Sequence, residues 1–322
     1  MISNTMKAVI LTQPTKAGEV RLTETPIPAV RPGWVLVKVR AFGMNHSEQI
    51  LRLHEIEADY IQKPIIPGIE CVGEVADPSD SGLVVGQRVV ALMGGMGRSF
   101  HGSYAEYALL PTSHVFTVES GLSWAQLAAV PETYFTAWGS LFQCLRLQPD
   151  DTLLIRGATC ALGYAALQLA KALGCTVIAT THRAEKLPLL AHADKAILDW
   201  GELAGGVGPV NKVLELVGPR TLRDSLRCVA QGGIVCNTGI LGGVYALNGF
   251  DPIKEIPNGV FLTGFFSNYP TQDVMNDIFS FLEAHRLTPS VGAVYGFSEI
   301  QAACEALDGG KVNGKIVVEL EP

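Results

Sequence analysis

The apolar positions of the chain fall into two textures that change near residue 131. Before it, apolar residues come in short alternating runs. "WVLVKVRAFGM" (Trp34–Met44) alternates and is rich in valine, and "CVGEVADP", "GQRVVALM" and "GSYAEYALLP" are further short runs closed by Gly, Asp or Pro. Two-residue periodicity punctuated at short intervals predicts strands and turns. Many such strands imply a partly open β-barrel or rolled sheets.

Beyond residue 131 the period lengthens. "SWAQLAAVPETYFTAWGSLFQCL" predicts helices, "DTLLIRG" a buried strand, "CALGYAALQLAKALG" an apolar-faced helix and "CTVIATT" a second strand. "RAEKLPLLAHA" predicts a helix with Pro188 near its start, where proline is tolerated. "KAILDW", "NKVLELVG" and "GGIVCNTG" are further strands, with the helix "TLRDSLRCVAQ" between the last two. Strand–helix–strand repetition predicts a parallel sheet with right-handed crossovers. The tail "GFSEIQAACEALDGGKVNGKIVVEL" adds a helix and a strand that return to the first domain.

Composition narrows the class. The 322 residues suit two domains, and 48% apolar against 17% charged residues supports a large core. A net charge of −7 without a Lys/Arg cluster speaks against nucleic acid as a partner. The longest strongly apolar uncharged stretch, Gly157 to Ala170, is too short to span a bilayer, and Met1 to Met6 has no signal-peptide pattern. Seven scattered cysteines without a CxxC pair read as reduced thiols of a cytoplasmic protein.

"LLIRGATCALGYAALQLAKALG" carries the chemistry. A dinucleotide fingerprint needs a strand, a loop of small residues and a helix whose free N–H groups meet a pyrophosphate. Strand and helix are present, but strict G-x-G-x-x-G is not: Gly157 ends the strand, and Ala158 and Cys160 stand at glycine places before Gly163. Thr159, Cys160 and Ala161 are small enough to leave the backbone open, so the stretch is either a nucleotide loop or a ligand-free crossover. An NAD site places Asp or Glu at the end of the second strand. Here stand Thr180, Thr181, His182, Arg183 and, further on, Lys186. Hydroxyls and cations suit a 2′-phosphate and favour NADPH; the alternative is an ordinary solvated helix start.

In order and spacing, "VKVRAFGMNHSE", "PGIECVGEVADP", "VGQRVVAL", "GSYAEYALLP", "AAVPETYFTAWGSLF", the loop above, "GGIVCNTG" and "NGKIVV" resemble the medium-chain dehydrogenase/reductase superfamily. The resemblance is to its zinc-free quinone oxidoreductase (ζ-crystallin-like) branch and covers nearly the whole chain. It implies an α/β fold: a GroES-like domain of residues 1–130 and 280–322, and a Rossmann domain of residues 131–279 with NADPH between them. It further implies a homodimer. Zinc-dependent relatives carry Cys at the place of Asn45 and His at that of Ile69, so no metal is expected, although Glu70 remains.

The resemblance also implies site residues. Asn45, His46 and Ser47 would polarise a carbonyl or relay a proton, with His46 also read as an imidazole able to titrate near neutral pH. Tyr60 is a further candidate donor, because the tyrosine this branch often has after the asparagine is Ile50 here. Thr136 would approach the nicotinamide, and Thr159, Leu162 and Gly163 the pyrophosphate. Val217, Gly239 and Ile240 would hold ribose and carboxamide through backbone groups. Phe266 would lie near the cleft or in the core, and Lys315 would touch the 2′-phosphate or lie on the surface. The expected activity is zinc-independent, NADPH-dependent hydride transfer to a quinone or an α,β-unsaturated carbonyl. The alternatives are a metal-free carbonyl or alcohol reductase, or a non-catalytic NADPH-binding protein of structural or nucleic-acid-binding role.

Overall fold

The structure, a computed structural model, describes residues 4–321. Along the chain run β1 (Thr5–Val9), β2 (Leu22–Pro26), β3 (Trp34–Met44), α1 (His46–Leu53), β4 (Glu70–Asp77), β5 (Arg88–Leu92), β6 (Tyr107–Pro111), β7 (Val115–Thr117), α2 (Trp124–Ala128) and α3 (Pro131–Trp138). There follow β8 (Thr152–Arg156), α4 (Ala161–Leu173), β9 (Thr176–Thr181), β10 (Lys195–Leu198), β11 (Val210–Glu215), α5 (Pro219–Cys228), β12 (Val229–Asn237), α6 (Pro252–Glu255) and β13 (Phe261–Gly264). The chain closes with α7 (Gln272–Ala284), β14 (Val291–Gly296), α8 (Ile300–Gly309) and β15 (Lys315–Glu319).

Two compact units form. The first takes the chain up to Glu132 and again from Asn268. Its main sheet has the order β14-β15-β3-β4-β5-β7, with β6 also on β3 and β1 and β2 as a separate ribbon. Strand β15 pairs antiparallel with β3, so the tail returns to this unit as its sequence pattern predicts. Alternation along β3 sends Val35, Val37 and Val39, and a register shift between Val39 and Ala41 then brings Phe42, into a core shared with Leu51, Ile56, Ile65 and Val318. The return comes earlier than the expected residue 280. Asn268 Oδ1 accepts from Gly94 N at 3.2 Å, and Gln272 bonds both the N–H and the carbonyl of Thr117, each at 3.0 Å, so α7 belongs to this unit.

The second unit spans Thr133–Ser267. Its six strands are all parallel, in the order β10-β9-β8-β11-β12-β13. Chain order reverses between β8 and β11, the switch point at which open α/β sheets leave a crevice beyond the strand ends. The segment expected as a helix around Pro188 is instead a 3-10 turn, Ala184–Leu190, with the proline inside it. Proline there removes a helical hydrogen bond and crowds the preceding turn.

Candidate functional site

Gly157 follows β8 with φ +83°, a left-handed conformation, and an added Cβ would meet Val217 Cγ2 at 3.1 Å. At Gly163 an added Cβ would lie 2.3 Å from the Ala158 carbonyl oxygen, so only glycine lets α4 pack this close to the loop. Cys160 has ordinary extended torsions and is the N-cap of α4: its sulfur accepts from Gly163 N at 3.3 Å. It thus replaces the middle glycine by a weak cap rather than by a clash. Burial, outweighing the Gly163 and Leu162 N–H groups, raises its thiol above the usual range. Thr159 and Leu162 are half-buried on the same turn.

Thr180 and Thr181 serve otherwise than expected. They are 0% and 1% exposed. Thr180 Oγ1 accepts from Gly157 N at 3.1 Å while its carbonyl accepts from Ala158 N at 2.8 Å. Thr181 Oγ1 shares a 3.1 Å bond with Thr159 Oγ1 and accepts from Arg183 N at 3.3 Å. Because these hydroxyls brace the loop from inside, the reading that they meet a 2′-phosphate is corrected. The cations remain. Arg183 and Lys186 are half-buried within a turn of the end of β9, whose last residues carry no carboxylate of their own, while the neighbouring Asp199 is held by Arg156. Burial first, and the Arg183 charge second, lower the Lys186 pKa, with opposing pulls from Glu185 and then Cys160. A like-charged pair beside a helix N-terminus is relieved by an anion.

At the other lip of the switch point the buried Glu215 shapes the turn after β11. Its carboxylate accepts from Val217 N at 2.7 Å, Gly218 N at 3.0 Å and Thr221 Oγ1 at 3.0 Å, and from Ser225 Oγ. The Val217 carbonyl accepts from Gly242 N at 2.8 Å. The Val217 N–H is therefore committed inside the unit, while its carbonyl keeps a second lone pair, and its side chain walls Gly157. Gly239 N donates to the Glu215 carbonyl at 3.1 Å, and the Ile240 carbonyl accepts from Gly243 N at 2.9 Å. Ser140 Oγ donates to the Thr136 carbonyl at 2.7 Å and bonds Thr238 Oγ1 at 2.9 Å, which ties Thr136 to the end of β12. Phe265 packs on Phe135, whereas Phe266 is exposed.

In the first unit Asn45 caps α1 at the centre of a buried cluster. Its Nδ2 donates to Glu70 Oε1 at 2.8 Å and, more weakly, to Glu48 Oε1 at 3.4 Å, while its Oδ1 accepts from Lys315 Nζ at 2.6 Å. Lys315 also bonds Glu70 Oε1 at 2.6 Å, and Glu70 Oε2 accepts from Glu132 N at 2.8 Å. Both amide hydrogens of Asn45 face carboxylates, so Asn45 is not the oxyanion donor expected of it. Lys315 is 2% exposed and turned inward, contrary to either expectation for it, surface lysine or phosphate ligand. Burial pushes the Glu48 carboxyl up to about 6, against the pull of Lys315 and with the push of Glu70.

Beside this cluster lies a second network. Arg98 Nη2 donates to Ser47 Oγ at 2.9 Å and to the Ser47 carbonyl at 3.2 Å. Its Nε and Nη2 grip Glu55 at 2.9 and 2.7 Å. The Tyr60 hydroxyl donates to Glu55 Oε1 at 2.8 Å, and that bond first raises its pKa. With its hydrogen spent on Glu55, Tyr60 is not the proton donor expected of it. His46 is exposed on the first turn of α1, next to Ser47.

Sequence reasoning missed Arg98, Glu55 and Glu48, which nothing in the local pattern sets apart from surface charges. It also missed Arg156. That side chain is 0% exposed and holds Asp199 at 2.8 Å and Asp224 at 2.7 Å. A charge inside the apolar run "DTLLIRG" was the available signal, since a buried arginine needs buried acids.

Residues 31–120 match a family profile described as alcohol dehydrogenase GroES-like domain, and residues 193–318 one described as zinc-binding dehydrogenase. The chain is 26% identical over 314 residues to a quinone oxidoreductase of Homo sapiens, covering 92% of each protein. It is 26% identical over 314 residues to the highly reducing polyketide synthase phiA of a fungal species, covering 90% of this chain but only 12% of that protein. Among solved structures, AibC superposes with a TM-score of 0.88 at 25% identity, over 100% of this chain and 97% of the other. The residues present do not fit a zinc ion of the kind the profile's description implies. Among the described residues no three of His, Cys, Asp and Glu come together as ligands, and the Glu70 oxygens are taken by Lys315, Asn45 and Glu132 N–H. Nor is any helix of the described residues long and apolar enough to cross a membrane.

Proposed function

We propose, from the premise that the chain belongs to the medium-chain dehydrogenase/reductase superfamily of nicotinamide-nucleotide oxidoreductases, that it reduces quinones or α,β-unsaturated carbonyl compounds with NADPH and without zinc. The observation that carries the reading is the glycine-bounded loop after β8 with Arg183 and Lys186 beside it. Gly157, Gly163 and the first N–H groups of α4 suit a pyrophosphate, and the two cations suit the 2′-phosphate that distinguishes NADPH from NADH. Thr136, Gly239, Ile240 and Phe266 are the proposed surroundings of the nicotinamide.

When bound, the nicotinamide supplies a hydride; this chain's own residues manage charge and proton. Among the described residues no set of metal ligands stands ready to polarise the carbonyl, so in this reading hydrogen-bond donors stabilise the oxygen on which negative charge develops. With the hydrogens of Asn45 and Tyr60 already committed, Ser47 is the donor, and His46 on the same turn exchanges its proton with solvent. The buried Glu48–Asn45–Glu70–Lys315 cluster fixes the start of α1 on which both residues stand.

This reading also makes the protein a cytoplasmic homodimer. The edge strand β13, carrying Phe261 at 60% exposure, is the supporting surface, and all seven cysteines are free. Sedimentation analysis checks the dimer. The activity is tested by following NADPH oxidation by chelator-treated protein, with menadione, crotonaldehyde and a saturated aldehyde as acceptors and NADH in parallel. Turnover of the first two acceptors, indifferent to chelation, is the expected result. Reduction of the saturated aldehyde alone would make it a carbonyl reductase, and NADPH binding without any turnover would make it a binding protein.

A further inference from the structure

We infer that Arg98 is a positioning residue that turns the hydroxyl hydrogen of Ser47 outward and holds it there. The inference rests on the reading of Ser47 as the donor. Arginine has donors only. A serine oxygen 2.9 Å from Arg98 Nη2 therefore accepts, and its single hydrogen must point to some other acceptor. The guanidinium is itself fixed. Glu55 takes two of its N–H groups in a side-on fork, and Tyr60 completes Glu55 from the other side. The loop that carries Arg98 is held at both backbone groups: Arg98 N donates to the Gly95 carbonyl, and the Arg98 carbonyl accepts from Gln62 N, each at 3.0 Å.

Every hydrogen bond in the network thus has one possible direction. Tyr60 and Arg98 give to Glu55, and Arg98 gives to Ser47. A positive group on the lone pairs of a hydroxyl polarises it and stabilises it as its proton leaves. The first turn of α1 adds its positive end. Glu55 and Tyr60, with Glu48 further inside, are the other titratable groups that act on Arg98. The paired Glu55 moderates the field of Arg98 without cancelling it, because the guanidinium is the group in contact with Ser47.

Two arms test this on the full chain. In the first, Arg98→Met is compared in the natural background and in Ser47→Ala, with menadione and crotonaldehyde as acceptors. If Arg98 acts through Ser47, it lowers kcat about tenfold with KM unchanged and nothing further once Ser47 is gone, and Arg98→Lys regains part of the loss. An equal loss in both backgrounds overturns the inference. The second arm needs no turnover. Ser47→Cys places a titratable probe on Arg98, and its alkylation by iodoacetamide is followed against pH by mass spectrometry of that peptide. Adding Arg98→Met should slow alkylation at neutral pH about tenfold, one unit in pKa. An unchanged profile overturns the inference whatever the substrate. A shifted profile in a protein that reduces no acceptor leaves Arg98's hold on position 47 standing and discards the enzymatic reading instead.

Discussion

Lys315 Nζ lies 2.6 Å from Glu70 Oε1, and the two side chains are 2% and 0% exposed. One ammonium thus stands beside two buried carboxylates, Glu70 and Glu48, at a place walled on one side by Gly43, where an added Cβ would come 2.3 Å from the Lys315 Cε. Removing Lys315 leaves the buried Glu70 without its counter-charge, with Asn45 Nδ2 and the Glu132 N–H still donating to it. Lys315→Met is therefore expected to destabilise the chain by about 3–5 kcal/mol, read as a lowered urea midpoint at unchanged slope. A midpoint within error of the natural protein would mean that the cluster takes up a proton in place of the lost charge.

Glu48 makes the same cluster sensitive to pH. Its carboxyl is raised from 4.5 to about 6, by burial first, with Glu70 adding to the shift and Lys315 opposing it. Between these two values the folded chain binds more protons than the unfolded one. This contribution is therefore fully present below about pH 4.5 and is lost as pH rises through about 6, a span of about 2 kcal/mol. Glu48→Gln should remove that slope. The stability difference between natural and variant chains, from urea unfolding at several pH values, should fall across the window and then level off. A flat difference would mean that Glu48 keeps its charge throughout.

The fold was legible because the patterns that encode it are local. Alternation in "WVLVKVRAFGM" specifies β3, and the strand–helix–strand rhythm from Asp151 onward specifies a parallel sheet with a phosphate-type loop after its first strand. What was not legible depends on partners far apart in the chain. Lys315 looks like any lysine before a strand until β15 pairs with β3 and carries it to Glu70. Thr180 and Thr181 read as phosphate ligands because their spacing fits, and only the register of β9 against β8 shows their hydroxyls turned to Gly157 and Thr159. Tyr60 was chosen as a donor for its residue type, whereas the direction of its bond depends on Glu55.

Cys160 offers a chemical handle on the loop. It is half-buried and is the N-cap of α4, with its sulfur on Gly163 N. Alkylation enlarges that side chain where a pyrophosphate would meet the helix, so N-ethylmaleimide should abolish NADPH binding. NADPH should in turn slow the modification. Burial, the first cause of its raised pKa, keeps the thiol protonated at neutral pH, so the reaction should be slow and should accelerate as pH rises. Cys160→Ser keeps a cap and should resist the reagent while still binding NADPH. Loss of binding in the reagent-treated serine variant would place the sensitive cysteine elsewhere.

Arg183 and Lys186 carry the cofactor preference. A phosphate that accepts charge-assisted hydrogen bonds from them gains about 1.5–3 kcal/mol per contact, and NADH makes no such contact. Arg183→Ala should therefore weaken NADPH by about 10- to 100-fold while changing NADH by less than about threefold, measured by quenching of intrinsic fluorescence. The preference should also fade with salt, because half-buried cations are partly screened, and the fading should be smaller in the variant. Lys186→Ala should act in the same direction. It has a second effect, because it also removes a like charge that stands beside Arg183, the charge that after burial lowers the Lys186 pKa. Its loss should accordingly be smaller than that of Arg183→Ala. Equal weakening of both nucleotides in the arginine variant would mean that Arg183 meets the pyrophosphate or shapes the turn, and the NADPH assignment would fall.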